Sequence, residues 1–576
     1  MRAPSLKHLP ALLVPTAAAW VLAGAGLELP APVVVVTVAV AAVLLVRNLV
    51  PAAHPTGPVA WAGALVLWVA ADAALRPVAA FDAARCAAVG LVAVALLAAG
   101  GMPRVAAWGR VAVVCAATCA ALWMVVERVQ HAARPAGPFG NPNGAATIVL
   151  LGLALVPFVR APRAVRGLLL AVEASGIVAS GSRGALLGAI AIAIVWGVTG
   201  SRNWRLAAGA AALAAAALIG IGIRLAVDRD PLRYERVRIW SVALKVAVAE
   251  FPLGCGPGGY ADAAIAHNFP RDGEFARYAR IPDLAESDIL AAAASLGLPG
   301  CALVAGLLAC TAVRLRNRGP AAWGVAAALV LTSAVNSQAM VVGVVWAGAL
   351  ALGAVLPRRH GRRLHEPRAA AVATIGALSV MAATVLSCPN WGVGASPAAA
   401  VDRAEAVLRA HPESDGALAD AETQVSLACS ARPRFARAWC LLGRIRLTRA
   451  ALRDEEALAS AAADAYAQGR KINPLDVWCA LGEGVARRAL GDRTAALRAL
   501  GTAIMLEPNC APAWFELAAL RLAQGEIETA RVALRRAEAA TRRAIGATFV
   551  TNYERELARL DPSAVARLRA TLGEER

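Results

Sequence analysis

Between residues 10 and 387 the chain is a succession of apolar runs, each about long enough for a helix to cross a bilayer. That pattern leaves few folds open. In hydrocarbon every backbone amide and carbonyl must find its partner inside the protein, so a run of this kind is expected to be a helix. The runs lie near 10–28, 31–50, 58–75, 84–100, 105–127, 144–160, 166–181, 184–200, 205–227, 286–313, 320–336, 339–357 and 368–387. Residues 320–357 form one apolar stretch broken only by Asn336, Ser337 and Gln338, which reads as a tight external turn. Of the 576 residues 59% are apolar and 17% charged, too few charges for a soluble chain of this length.

The arginines supply an orientation. With the N-terminus in the cytoplasm, the basic turns all fall on the cytoplasmic side: Arg47; Arg104 and Arg110; Arg160, Arg163 and Arg166; Arg202 and Arg205; Arg314, Arg316 and Arg318; and Arg358 to Arg368. The first run then reads as a signal anchor rather than a cleaved leader. The segments 131–144, 180–184 and 228–285 fall outside, and so does the C-terminal region. A net charge of +19 is accounted for by these turns and by anionic lipid, and no nucleic-acid motif is present, so nucleic acid is not an expected partner. The eleven cysteines show no CxxC and no metal-ligand spacing; most read as small buried hydrophobes, and no metal is expected.

Residues 400–576 are charged, Ala-rich and helical in pattern. Pro474 and Pro508 are 34 residues apart, as are Gly491 and Gly525, and Ala496 and Ala530. This period resembles the tetratricopeptide repeat, with a looser unit at about 433–472, and predicts an α-solenoid with a concave face for an extended partner.

The polar, arginine-rich loop 228–285 is where chemistry is expected. Arg233, Arg236 and Arg238 precede Trp240. They read either as an interfacial helix or as a diphosphate clamp, since guanidinium groups make bidentate contacts to phosphate. If the segment is helical, Arg233 and Arg236 share a face and Arg238 points elsewhere. Arg183, between Gly181 and Gly184, is a further anion-binding candidate on a side where arginine is otherwise rare. "PLGCGPGGY" (252–260) reads as a rigid bend packing the loop onto the membrane domain. His267 is the only histidine in the loop. Glu286 and Asp288 open an apolar helix, where they either complement its dipole or supply a general base. Asn141 and Asn143 start another run as caps or as lining of a cavity mouth.

Taken together, "GNPNG" (140–144), "SGSRGALLG" (180–188), "RIW" (238–240) with "FPLGCGPGGY", and "ESDILAAAASLGLPG" (286–300) resemble the O-antigen ligase and polymerase superfamily over roughly residues 10–390. The resemblance implies an all-α, polytopic, GT-C-like bundle of about 12–13 spans followed by a tetratricopeptide solenoid, with domains at 1–390 and 400–576. It implies a glycosyltransferase that moves a glycan from a polyprenyl diphosphate to lipid A core, a polysaccharide or a protein, without metal or cofactor. Carried over, Arg183 and Arg238, with Arg236, hold the donor diphosphate. The family's His-Asn register, counted back from Gly300, falls on Glu286-Ser287, while the one His-Asn pair, His267-Asn268, lies about nineteen residues earlier. Three readings stay open: Glu286 replaces the histidine, the loop delivers His267, or transfer is lost and the chain is a scaffold for lipid-linked glycans and assembly partners. A solute transporter fits less well, since few runs carry ionisable residues; Glu173 is the clearest exception and is expected near the external arginines.

Overall fold

A computed structural model describes residues 57–75, 80–101, 103–132, 134–137, 141–199, 235–271, 274–356, 397–545, 547 and 552–573. The runs expected at 10–28, 31–50, 205–227 and 368–387, together with Arg233, lie outside these residues. Among the described residues the structure is helical, and they divide into two compact units. One falls within Met1–Tyr260 and Leu284–Gly392, the other within Ala261–Asp283 and Val393–Arg576.

In the first unit each apolar run within the described residues forms a helix: α1 (Gly57–Leu75), α2 (Ala80–Gly100), α3 (Pro103–Val129), α4 (Pro142–Leu155), α5 (Arg163–Ser180) and α6 (Arg183–Thr199). After these come α7 (Glu235–Ala249), a short α8 (Tyr260–Ile265) at the boundary, α9 (Asp288–Leu315), α10 (Pro320–Val335) and α11 (Val342–Val355). Among the described residues, two segments, Ala106–Val129 and Asp288–Leu315, are long and apolar enough to cross a membrane, and the other apolar helices are shorter. The shortness of α4 has a reason in its packing. Every residue from Gly144 to Leu155 is buried, and α3, α5, α6, α10 and α11 surround it. A helix apolar on all faces has to be enclosed in this way.

The second unit is a row of helical hairpins: α12 (Pro397–Ala410) with α13 (Asp415–Ala431), α14 (Ala436–Arg453) with α15 (Glu456–Ile472), α16 (Val477–Ala489) with α17 (Arg493–Leu506), and α18 (Ala511–Ala523) with α19 (Ile527–Arg543). Two shorter helices follow, α20 (Asn552–Leu557) and α21 (Pro562–Thr571). Each helix packs mainly on its sequence neighbours, as stacked repeats require. The 34-residue landmarks have physical jobs. Gly491 and Gly525 adopt φ of +75° and +78° to turn the chain between paired helices. Outside that spacing, Trp439 and Trp514 each donate an indole N–H to the carbonyl of the proline six residues earlier, Pro433 at 2.9 Å and Pro508 at 3.0 Å. The hairpin α12–α13 was not legible as a repeat, because these landmarks are missing from it.

Segment 261–283 belongs to the second unit, although its sequence sits in the middle of the loop assigned above to the membrane domain. The cause is specific contact: Phe275, Ala276 and Ala279 join the apolar core that holds Val477, Leu481, Leu500, Cys510 and Ala513.

Candidate functional site

From Glu235 the described part of the loop is a helix, α7. Within α7, Arg236 and Arg238 are about 200° apart around the axis and point to different sides. Arg236 Nη1 donates to Val335 O at 3.0 Å and its Nη2 to Asn336 Oδ1 at 3.2 Å. The same Nη2 lies 3.6 Å from Glu286 Oε2. Arg238 is exposed. Trp240 Nε1 donates to Glu286 O at 3.3 Å. Glu286 itself sits at φ +50°, in the left-handed region, immediately before Ser287, whose hydroxyl caps α9 by accepting from Leu290 N. A non-glycine residue held there stores strain of order 1–3 kcal/mol, and such positions cluster at functional sites.

Glu286 is also fixed from the other side. Asp288 N donates to Asn336 O at 3.2 Å, and Ala339 N donates to Asp288 Oδ1 at 2.9 Å. The break between α10 and α11 is therefore not a solvent-facing turn: Asn336 and Gln338 are only 2% and 3% exposed. Gln338 Nε2 donates to Asn143 O at 3.5 Å. Asn143 Oδ1 accepts the hydroxyl of the buried Ser182 at 2.8 Å. Asn141 Oδ1 caps α4 by accepting from Asn143 N at 2.9 Å and Gly144 N at 3.0 Å. Gly184 packs against Asn336, which leaves no room for a Cβ. Arg183, between Ser182 and Gly184, is exposed at the start of α6.

Four segments thus converge on the 336–338 break: the N-termini of α4, α6 and α9, and the arginine face of α7. Among the described residues, Asn336 Nδ2, Ser337 Oγ and Gln338 Oε1 are buried with no hydrogen-bond partner. Each costs about 1–3 kcal/mol if left so. The sequence singles out Arg236, Glu286, Asn141 and Asn143 as candidates, and reads Asn336, Ser337 and Gln338 only as a turn. Three consecutive polar residues inside an apolar stretch were the available signal.

The glycine-proline bend does pack on a helix of this unit, through backbone alone. Pro299 has no amide, so Ser295 O in α9 loses its intrahelical donor and accepts Gly256 N at 2.9 Å instead. Gly297 (φ +61°, ψ −159°) turns the next amide outward, and Leu298 N donates to Pro252 O at 2.8 Å. Ala294 O, released by that rotation, accepts Cys255 N at 2.9 Å. Trp68 Nε1 donates to Leu296 O at 3.3 Å. The GLPG of α9 and the PLGCGPGG of the bend are two halves of one joint.

His267 lies in the second unit, half-buried, in the turn that closes α8. Its neighbour Asn268 staples the loop, its amide donating to Tyr278 O at 3.3 Å and Arg280 O at 3.1 Å. Glu173 lies in the middle of α5, not at its end. It is wholly buried mid-helix, accepts from Thr118 Oγ1 at 3.2 Å, and abuts Gly152. That places it seven residues, roughly 10 Å, from the α5 terminus at Ser180.

Cysteine spacing predicted no metal site, yet folding brings Cys440, Asp476 and Cys479 together, with ligand atoms within 4.8 Å of one another. Asp476 Oδ1 is committed to capping α16 through Trp478 N and Cys479 N. Hydrogen bonding with Cys440, then burial, holds the Cys479 thiol well above its ordinary pKa, and burial raises Asp476. Both groups are thereby biased toward their protonated, non-ligating forms.

Residues 167–305 match the family model described as Wzy_C, O-antigen ligase, and that stretch carries a domain of this kind. It contains Arg183, Arg236, Arg238 and Glu286, while Asn141, Asn143 and Asn336 to Gln338 fall outside it. No curated protein matches the chain. Among solved structures it is similar to a thermophilic TPR protein of Thermus thermophilus, at 18% identity over 34% of this chain and 90% of that one, with a TM-score of 0.23.

Proposed function

We propose, starting from the O-antigen ligase domain at residues 167–305, that this chain is a polytopic membrane glycosyltransferase. It moves a glycan from a polyprenyl diphosphate to an acceptor hydroxyl on the external face of a bacterial inner membrane, in envelope polysaccharide assembly. The family match supports a membrane role in glycan transfer; the donor, the acceptor and the residue roles are our reading.

One observation carries it: the strained Glu286, held against Arg236 and the orphaned polar atoms of the 336–338 break. In this mechanism the exposed Arg183 and Arg238 bind the donor diphosphate, as guanidinium groups do. Arg236, already engaged with Val335 O and Asn336, orients Glu286 instead of gripping phosphate. Glu286 takes the proton of the acceptor hydroxyl. The acceptor oxygen attacks the anomeric carbon, the bond from that carbon to the diphosphate oxygen breaks, and polyprenyl diphosphate leaves with both electrons. The arginines stabilise its charge, a form of catalysis that needs no metal. Arg238→Ala is expected to abolish transfer while the protein inserts normally. Normal transfer by that variant removes the assigned role.

A further inference from the structure

Repeat arrays are usually read as docking surfaces for another protein. Here the second unit already holds a ligand. The carboxylate of Glu507, 0% exposed at the end of α17, accepts two consecutive loop amides, Arg277 N at Oε2 (2.8 Å) and Tyr278 N at Oε1 (2.9 Å). Two residues on, Asn509 Nδ2 donates to Phe275 O at 2.9 Å. Between these polar anchors Ala276 is buried among Val477, Leu481 and Leu500. Arg432 pairs with Asp262 at 2.6 Å and stacks on Phe435, which fixes the segment at its other end. The segment is folded to match. Arg271 N donates to Arg277 O at 2.9 Å, and Arg271 Nη1 and Asn268 Nδ2 both donate to Arg280 O.

We propose that Glu507 and Asn509 form a backbone-recognition site whose occupant is segment 274–280 of the same chain, so that the repeat domain acts in cis as a clamp on the loop. A carboxylate that accepts adjacent amides reads backbone direction, and an amide that donates to a carbonyl two residues earlier reads register. A buried carboxylate is retained at such a place only if it is fully paired, and the loop amides pair it. The consequence for the reaction rests on the function proposed above and follows from chain connectivity. The clamped residues lie within the stretch 261–283, which carries His267, ends at Asp283 and runs into Glu286 three residues later. Glu507 is thus a positioning residue for the loop, not a group that touches substrate.

The test uses the full-length protein in detergent or nanodiscs. In Glu507→Ala, amide exchange at Arg277 and Tyr278 is expected to accelerate roughly tenfold or more, because two charge-assisted hydrogen bonds are lost. Ala276→Glu attacks the clamp from the loop side. It is expected to release the same amides while α16 to α19 keep their protection, which separates clamp loss from unfolding of the repeats. In glycan transfer both variants should lower kcat at unchanged donor KM, with Glu507→Gln intermediate. Wild-type exchange at Arg277 and Tyr278 in both variants overturns the binding site. Released amides with unchanged kcat overturn the positioning role. A wild-type protein without transfer activity counts against the function proposed above, and the exchange measurement still decides the clamp.

Discussion

The joint between the glycine-proline bend and α9 gives the sharpest energetic prediction, through Gly297→Ala. A methyl group added to Gly297 meets Leu253 C and Pro252 O, both at 2.3 Å, and these are backbone atoms that cannot rotate away. The residue also sits at φ +61°, ψ −159°, a region open essentially to glycine alone, which costs an L-residue about 1–3 kcal/mol. Relieving the overlap means parting the two strands of backbone. That gives up the bonds Leu298 N to Pro252 O, Cys255 N to Ala294 O and Gly256 N to Ser295 O, each worth about 1 kcal/mol net. The sum is about 4–6 kcal/mol, or roughly a thousand-fold or more in the opening equilibrium at 1.4 kcal/mol per decade. Hydrogen exchange at Cys255, Gly256 and Leu298 in the solubilised protein reads this directly. Gly197→Ala is the control. It lies on an apolar helix with nothing within 4 Å of the added methyl, so it should be neutral or stabilising by about 0.5–1 kcal/mol. If Gly297→Ala exchanges within threefold of wild type at those amides, the backbone-joint reasoning is refuted.

Glu173→Gln keeps an acceptor for Thr118 and removes the titratable carboxyl from a wholly buried position. Folding and transfer should persist, since a neutral side chain of the same shape keeps the buried hydrogen bond; loss of transfer with intact folding would give Glu173 a proton-handling role instead. Gly491→Ala and Gly525→Ala meet no neighbours within 4 Å, so only their positive φ values count. Each should lower the thermal midpoint of the repeat unit by roughly 2–8 °C, and the double variant by about the sum. A strongly non-additive double variant would mean that the two turns are not equivalent repeat elements.

The helical framework was legible because its signal is local. Apolar runs of bilayer length, and glycines and prolines 34 residues apart, report backbone conformation without reference to distant residues. The same holds for the arginine spacing in α7, which put Arg236 and Arg238 on different faces before any contact was known. What was hidden depends on partners far along the chain. Asn336 and Gln338 read as a turn because three polar residues between apolar stretches usually meet water; here Arg236, Asp288 and Asn143 come from other segments to enclose them. The docking of Phe275 and Ala276 on the repeats has no sequence period at all, and its key residue, Glu507, is more than 200 positions from the amides it binds. His267 and Asn268 form a motif by sequence, yet Asn268 serves the loop's own backbone.

The central claim is that an external arginine–carboxylate site transfers a glycan from a polyprenyl diphosphate. The most direct measurement follows release of polyprenyl diphosphate from a labelled donor by the purified protein in reconstituted membranes, with an envelope acceptor. Release by wild type that stops in Arg238→Ala and Glu286→Gln, and continues in His267→Ala, is the predicted result. Donor that stays bound and unreleased by wild type would contradict the claim and leave a protein that holds lipid-linked glycans without transferring them.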